Sequence, residues 1–141
     1  MTEIGYKLSS EEHSAPDLVR YARRAEETGF AFAAISDHFH PWVDRQGQSP
    51  FVSSVLGAIA QATEAIPVGT MVTCPIIRMH PGLVAQAAAT AATLLPGRFF
   101  LGLGTGENLN EHVLGDRGRP SPSAGRCWRP SSSSAGSGKA R

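Results

Sequence analysis

Asp37-His38-Phe39-His40-Pro41-Trp42 places a carboxylate, two imidazoles and an indole side by side, directly after an apolar run. An imidazole beside a carboxylate in a cleft can take a hydroxyl proton near neutral pH, and an indole can wall a flat cofactor or a sugar. The competing reading is a loop whose histidines only satisfy backbone groups. A metal site would have to use His38 and His40, two apart in an extended segment, with no third ligand in view, and none is expected.

A second group of residues, Gly102-Leu103-Gly104-Thr105-Gly106-Glu107-Asn108, is glycine-rich but has Glu107 where a dinucleotide turn would need its third glycine. Closely spaced glycines at a strand end let backbone approach a cofactor, with Glu107 opening toward the cleft as an acid or hydrogen-bonding group. Turn chemistry with an acidic residue at a helix start explains the same residues equally well. Glu11 and Glu12 read by default as solvated loop charge. Arg78 and His80 either meet an anionic group or sit on a rim without partners.

The elements that must position these residues alternate. Ile4 to Leu8 reads as a strand, followed by a helix from Asp17 to Thr28 with Leu18, Val19, Ala22 and Ala25 at helical spacing and Gly29 as its cap. Phe30 to Ile35 is an almost continuous apolar run, as expected of a strand buried on both faces of a parallel sheet. A helix over Phe51 to Thr63, a strand over Pro67 to Thr73, a helix over Gly82 to Leu95 and a strand over Arg98 to Leu103 follow, with another helix starting near Glu107. This (βα)₃β order forces an α/β fold with a parallel sheet, either an open sheet or part of a barrel. In both, the segments after the strands share one face, where such enzymes keep their chemistry.

Composition sets the class only: 41% hydrophobic and 18% charged residues suit a globular domain. No apolar stretch is long enough for a membrane span and the start lacks a secretory signal, so a cytoplasmic protein is expected. Cys74 and Cys127 form no C-x-x-C pair, which gives neither a disulfide framework nor a zinc ribbon. Residues 1–117 carry a net charge of −4 and residues 118–141 a net charge of +5. The 118–141 segment holds 7 Ser, 4 Gly and 3 Pro, with Trp128 almost its only large apolar group, so it is expected to be disordered. Its composition looks like coding sequence read out of frame, or a linker. Without helical periodicity to present its charges, it is not expected to bind nucleic acid specifically.

Gly5-Tyr6-Lys7, Ser36-Asp37-His38-Phe39 with Pro41-Trp42, and Gly102 to Asn110 (G-L-G-T-G-E-N-L-N) together resemble the luciferase-like flavin and deazaflavin superfamily. Within it the resemblance is to coenzyme F420-dependent oxidoreductases of the glucose-6-phosphate dehydrogenase type. It covers residues 4–116 and implies the amino-terminal half of a (β/α)₈ TIM barrel, truncated. It implies hydride transfer from an alcohol or sugar phosphate to the deazaflavin, with His38 as the base and Glu107 as the acid on the cofactor side. Trp42 would shape the pocket and Glu11 would orient a neighbour. Asp37, Thr105, Gly106 and Asn110 would hold the cofactor, and a non-proline cis peptide at Met71 and Val72 would support its ring. A full-length form is expected as a homodimer. The rival readings are an FMN-dependent monooxygenase of the same superfamily and a non-catalytic remnant.

Overall fold

The computed structural model describes residues 2–115. The expected disorder of residues 118–141 lies outside the described residues. Strands β1 (Gly5–Leu8), β2 (Phe32–Ile35), β3 (Val68–Thr73) and β4 (Phe99–Leu103) alternate with helices α1 (Ala15–Glu27), α2 (Val52–Ala62) and α3 (Pro81–Leu94), and α4 (Asn108–Val113) follows. The four strands are parallel, in the order β1-β2-β3-β4. Each strand adds beside its predecessor and α1, α2 and α3 pack in succession, which is how a barrel wall winds. A doubly wound sheet would reverse its strand order at a switch point.

Local chemistry moves the element ends by a residue or two from the expected ones. Helix α1 begins at Ala15 because the Ser14 hydroxyl accepts the Asp17 N–H, and it stops where Gly29 turns left-handed at φ 81°. Helix α3 begins at Pro81 because the His80 ring accepts the Gly82 N–H at 3.1 Å. The rim histidine is therefore a helix cap. Phe30 falls short of β2 and packs edge-on against Tyr6, with ring centroids 5.3 Å apart.

Strand register separates two faces. The rows Tyr6–Ala33–Val68–Phe99 and Leu8–Ile35–Thr70–Leu101 point toward the helices. Leu8, Ala33, Ile35 and Val68 form the core there with Leu18, Ala22, Val55 and Ile59. The opposite face carries Lys7, Ala34, Gly69 and Phe100 in one row, with Gly5 and Phe32 in the row beneath. There the Phe32 ring lies over Gly5 and the Phe100 ring over Gly69, and the two rings meet edge to face at 6.1 Å. Beta-2 has Ala33, Ala34 and Ile35 all buried, as expected for a strand covered on both sides. At the far end of the sheet, the Glu26 carboxylate accepts the N–H groups of Glu64, Ala65 and Ile66, and Arg98 donates to the Thr63 and Ile66 carbonyls. These bonds fix the entry to β3.

Pairing of β3 with β4 is in register to Thr70, slips, and resumes at Thr73, and the Met71–Val72 peptide within this bulge is cis. Both residues expose their side chains beyond the sheet.

Two glycines give opposite expectations. A Cβ at Gly69 would collide with the Phe100 carbonyl and ring, whereas one at Gly57, inside α2, would meet only Leu94 at 4.0 Å. Gly57→Ala is expected to stabilise the fold by about 0.5–1 kcal/mol through helix propensity. Gly69→Ala is expected to destabilise it by about 3 kcal/mol. Urea denaturation of both variants checks the pair; a tolerated Gly69→Ala would contradict this packing.

Candidate active site

Three polar segments at the carboxyl ends of β1, β2 and β4 converge. Glu11, in the turn after β1, is only 3% exposed. The default reading of Glu11 as solvated charge is therefore wrong, although it holds for the exposed Glu12. A buried carboxylate needs donors, and the Ser9, Ser10 and Ser36 hydroxyls supply them at 2.9, 3.2 and 2.8 Å. Ser36 can reach Glu11 because Leu8 and Ile35 are register partners, so the residues following β1 and β2 emerge side by side.

His38 completes this cluster. Its Nδ1 is buried and lies 2.6 Å from Glu11 Oε1, while Nε2 lies 3.5 Å from Glu107 Oε1 on the cleft side. The N–H at Nδ1 is not aimed well along the short contact. The distance still makes Glu11 its partner, since at 2.6 Å charge and proximity dominate over alignment. Burial opposes ionisation of Glu11, but hydrogen bonds from His38, its own backbone, Ser36 and Ser9 outweigh it and hold the carboxyl well below the usual glutamate range. The Glu11 contact raises the His38 pKa; burial works against it, the charges of Glu11 and Glu107 add to it, and Lys7 opposes it.

The two imidazoles of the Asp37–Trp42 segment have different roles. The Nδ1 of His40 is 2.8 Å from the Pro41 carbonyl, so His40 is the histidine that satisfies backbone. Trp42 packs edge-on against His38 with centroids 5.4 Å apart and stands outside the main cleft, half exposed. Asp37 turns the other way. Its carboxylate takes the Thr73 hydroxyl at 2.7 Å and the Arg78 guanidinium at 2.6 Å. Arg78 is thus a partnered cation from the loop after β3.

Beside His38 opens a cleft of about 270 Å³. Val72, Ile76 and Ile77 give it an apolar side, while Asp37, Thr105 and Glu107 give it polar edges. The glycines serve close packing: a Cβ on Gly104 would crowd Val72 and Cys74, and one on Gly106, at φ 87°, would crowd Ile76 and Glu111. Asn110 Oδ1 accepts the Phe39 and His40 N–H groups at 2.7 and 3.1 Å, and its Nδ2 donates to Glu107 at 2.6 Å. The structure brings together Glu11, His38, Glu107 and Asn110, with Trp42 against the His38 ring. Of the expected site residues, Glu11, Trp42 and Met71 do not line the cleft. Ser9, Ser10, Ser36 and Thr73 are participants to which the sequence assigned no role of their own. The available signal was hydroxyl residues next to Glu11 and Asp37 at the ends of neighbouring strands.

Residues 1–125 match the luciferase-like monooxygenase family. The chain belongs to that family. Among its relatives, the F420-dependent glucose-6-phosphate dehydrogenase of Intrasporangium calvum is 46% identical over 122 residues, which are 86% of this chain and 36% of the relative. The F420-dependent hydroxymycolic acid dehydrogenase of Mycobacterium tuberculosis is 49% identical over 80% of this chain and 31% of its own. The chain therefore spans about a third of the length of the curated relatives it matches. Among solved structures, an F420-dependent secondary alcohol dehydrogenase in complex with an F420-acetone adduct superposes with a TM-score of 0.74 at 41% identity. That match covers 77% of this chain and 33% of the other. The F420-dependent tetrahydromethanopterin reductase of Methanopyrus kandleri gives 0.68 at 26% identity, covering 80% of this chain and 30% of the other. The four-stranded sheet is thus part of a luciferase-like TIM barrel.

The Glu11–His38 contact sets a pH signature. Below the ordinary glutamate value of 4.5 the unfolded chain binds a proton that folded Glu11 resists, so the contribution of Glu11 is lost as pH falls. Above the ordinary histidine value of 6.5 the unfolded chain releases a proton that folded His38 retains, so the contribution of His38 is lost as pH rises through its raised value. The stability difference between the parent and Glu11→Gln is expected to peak between about pH 4.5 and 6.5. Thermal melts across pH check this, and a pH-independent difference would contradict it.

Proposed function

We propose that this chain is the amino-terminal portion of a cytoplasmic F420-dependent oxidoreductase that removes hydride from an alcohol or sugar phosphate. The observation that carries the reading is the His38 ring, with buried Nδ1 held against Glu11 and Nε2 turned to a cleft 3.5 Å from Glu107. The relatives and the solved neighbour named for F420 support the choice of cofactor and of alcohol chemistry.

The residues present fit a deazaflavin. The apolar side formed by Val72, Ile76 and Ile77 suits a flat ring, and the family resemblance would put the Met71–Val72 bulge against it. Asp37, Thr105, Gly106 and Asn110 would hold its polar edges, although Asn110 has already committed its oxygen and one amide hydrogen within the protein. Bound there, a deazaflavin supplies a carbon that accepts hydride.

The protein's own part is proton handling. Glu11 fixes the tautomer with hydrogen on Nδ1 and leaves Nε2 to take the substrate hydroxyl proton as the C–H bond breaks. The raised pKa of His38 makes it a stronger base, and confines the base form to pH above its ordinary 6.5. Glu107 would act as the acid on the cofactor side. Trp42, lying against the His38 ring, limits where a substrate can sit.

In a full-length protein carrying this sequence, His38→Ala is expected to lower turnover by about 10²–10⁴-fold while leaving deazaflavin affinity nearly unchanged. Stopped-flow reduction and a binding titration against both deazaflavin and FMN check this. Unchanged turnover would remove His38 from the mechanism, and preference for FMN would favour the monooxygenase alternative. In the same assay the 141-residue chain alone is expected to be inactive, because its site faces water and lacks a preorganised, low-dielectric setting.

A further inference from the structure

We propose that Asn110 is a positioning residue for the acid–base centre: its amide pins the His38 loop and restrains Glu107, so that Nε2 of His38 stays open to a substrate. The inference deepens the reading above and rests on it. Two backbone N–H groups, those of Phe39 and His40, converge on one side-chain atom of Asn110, at 2.7 and 3.1 Å. Only an oxygen can accept both, which settles the orientation of the amide and puts its nitrogen toward Glu107. Both lone pairs of Oδ1 are then used on the peptides that immediately follow His38. The amide nitrogen donates to Glu107 Oε1 at 2.6 Å, the same oxygen that stands 3.5 Å from His38 Nε2.

This geometry places two claims on one carboxylate oxygen. At 2.6 Å the amide holds Glu107 firmly, and at 3.5 Å the imidazole is just beyond a good N–H···O contact. Without the amide, Glu107 would be free to close on Nε2 and occupy the position a hydroxyl needs. Asn110 thus works through a loop on one side and a carboxylate on the other, linking α4 to the segment after β2.

Trp42 provides a readout that needs no cofactor. Its ring lies 5.4 Å from His38, close enough for protonation of the imidazole to quench its fluorescence, and Trp128→Phe leaves it as the sole tryptophan. The charged and titratable groups around His38 are Glu11 after β1, Lys7 in β1, Glu107 at the start of α4, His40 in the same loop, and Asp37, which is paired with Arg78. All but Glu107, which the second background replaces, are retained in the comparison. Asn110→Ala in this background is expected to move the quenching midpoint upward by about half a pH unit, as Glu107 closes on the imidazolium. When Glu107→Gln is already present, the same substitution is expected to leave the midpoint in place. Asn110→Asp keeps the acceptor, and therefore the loop, and covers the case in which the alanine variant unfolds. Its upward displacement must be smaller with Glu107→Gln. An equal displacement in both backgrounds, or none in either, would reduce Asn110 to a structural loop contact and overturn the proposal. Neither outcome depends on whether deazaflavin binds, so failure here is distinguishable from failure of the cofactor reading.

Discussion

A carboxylate taken out of water must find its hydrogen bonds inside the protein or give up its charge. Glu11 keeps its charge by drawing three serine hydroxyls and an imidazole around itself. The donors come from two separate stretches of chain, 9–10 and 36–38, which meet only because β1 and β2 are parallel and in register from Gly5 to Leu8. The orientation of His38 follows from this contact, and the open face of its ring follows from that orientation. Neutralising Glu11 would leave Nδ1 buried without a charged partner.

The remaining structure holds this arrangement against its neighbours. Small residues let the face opposite the helices carry large ones: Gly5 lies beneath the Phe32 ring and Gly69 beneath Phe100, with Ala34 between them. Across that face the Lys7 ammonium reaches toward the Met71 carbonyl at 3.4 Å, joining β1 to the bulge in β3. A second ionic centre joins Asp37 to Thr73 and Arg78, and Asp37 and Arg78 line the same cleft. Each centre thus depends on loops from different strands, and sheet pairing delivers both.

Elements were more legible in the sequence than partners. Leu18, Ala22 and Ala25 recur at helical spacing and are buried in α1, and the apolar run before Ser36 is a strand covered on both sides. Glycine and proline positions marked the ends to within a residue or two, with the shifts traceable to Ser14 and His80 capping. Strand order chose between barrel and open sheet, which alternation alone could not do. The site was only half legible. His38, Asp37 and Glu107 stand in conspicuous groups, but burial of Glu11 arises from Ser36, 25 residues away. Arg78 and Asp37 are likewise distant in sequence, and nothing local marks them as a pair. Which of two histidines in one loop faces the cleft is decided by Glu11 and the Pro41 carbonyl, contacts that residue type does not encode.

Both the role of Glu11 and the basicity of His38 depend on which ring nitrogen of His38 carries the proton when the imidazole is neutral. Nitrogen-15 spectra of a chain labelled at histidine, recorded above the His38 titration and assigned by loss of the signal in His38→Gln, report this directly. With Nδ1 2.6 Å from the Glu11 carboxylate, hydrogen is expected on Nδ1 and a bare, basic nitrogen at Nε2. The reverse tautomer, hydrogen on Nε2 and none on Nδ1, would contradict both the role of Glu11 and the assignment of His38 as the base.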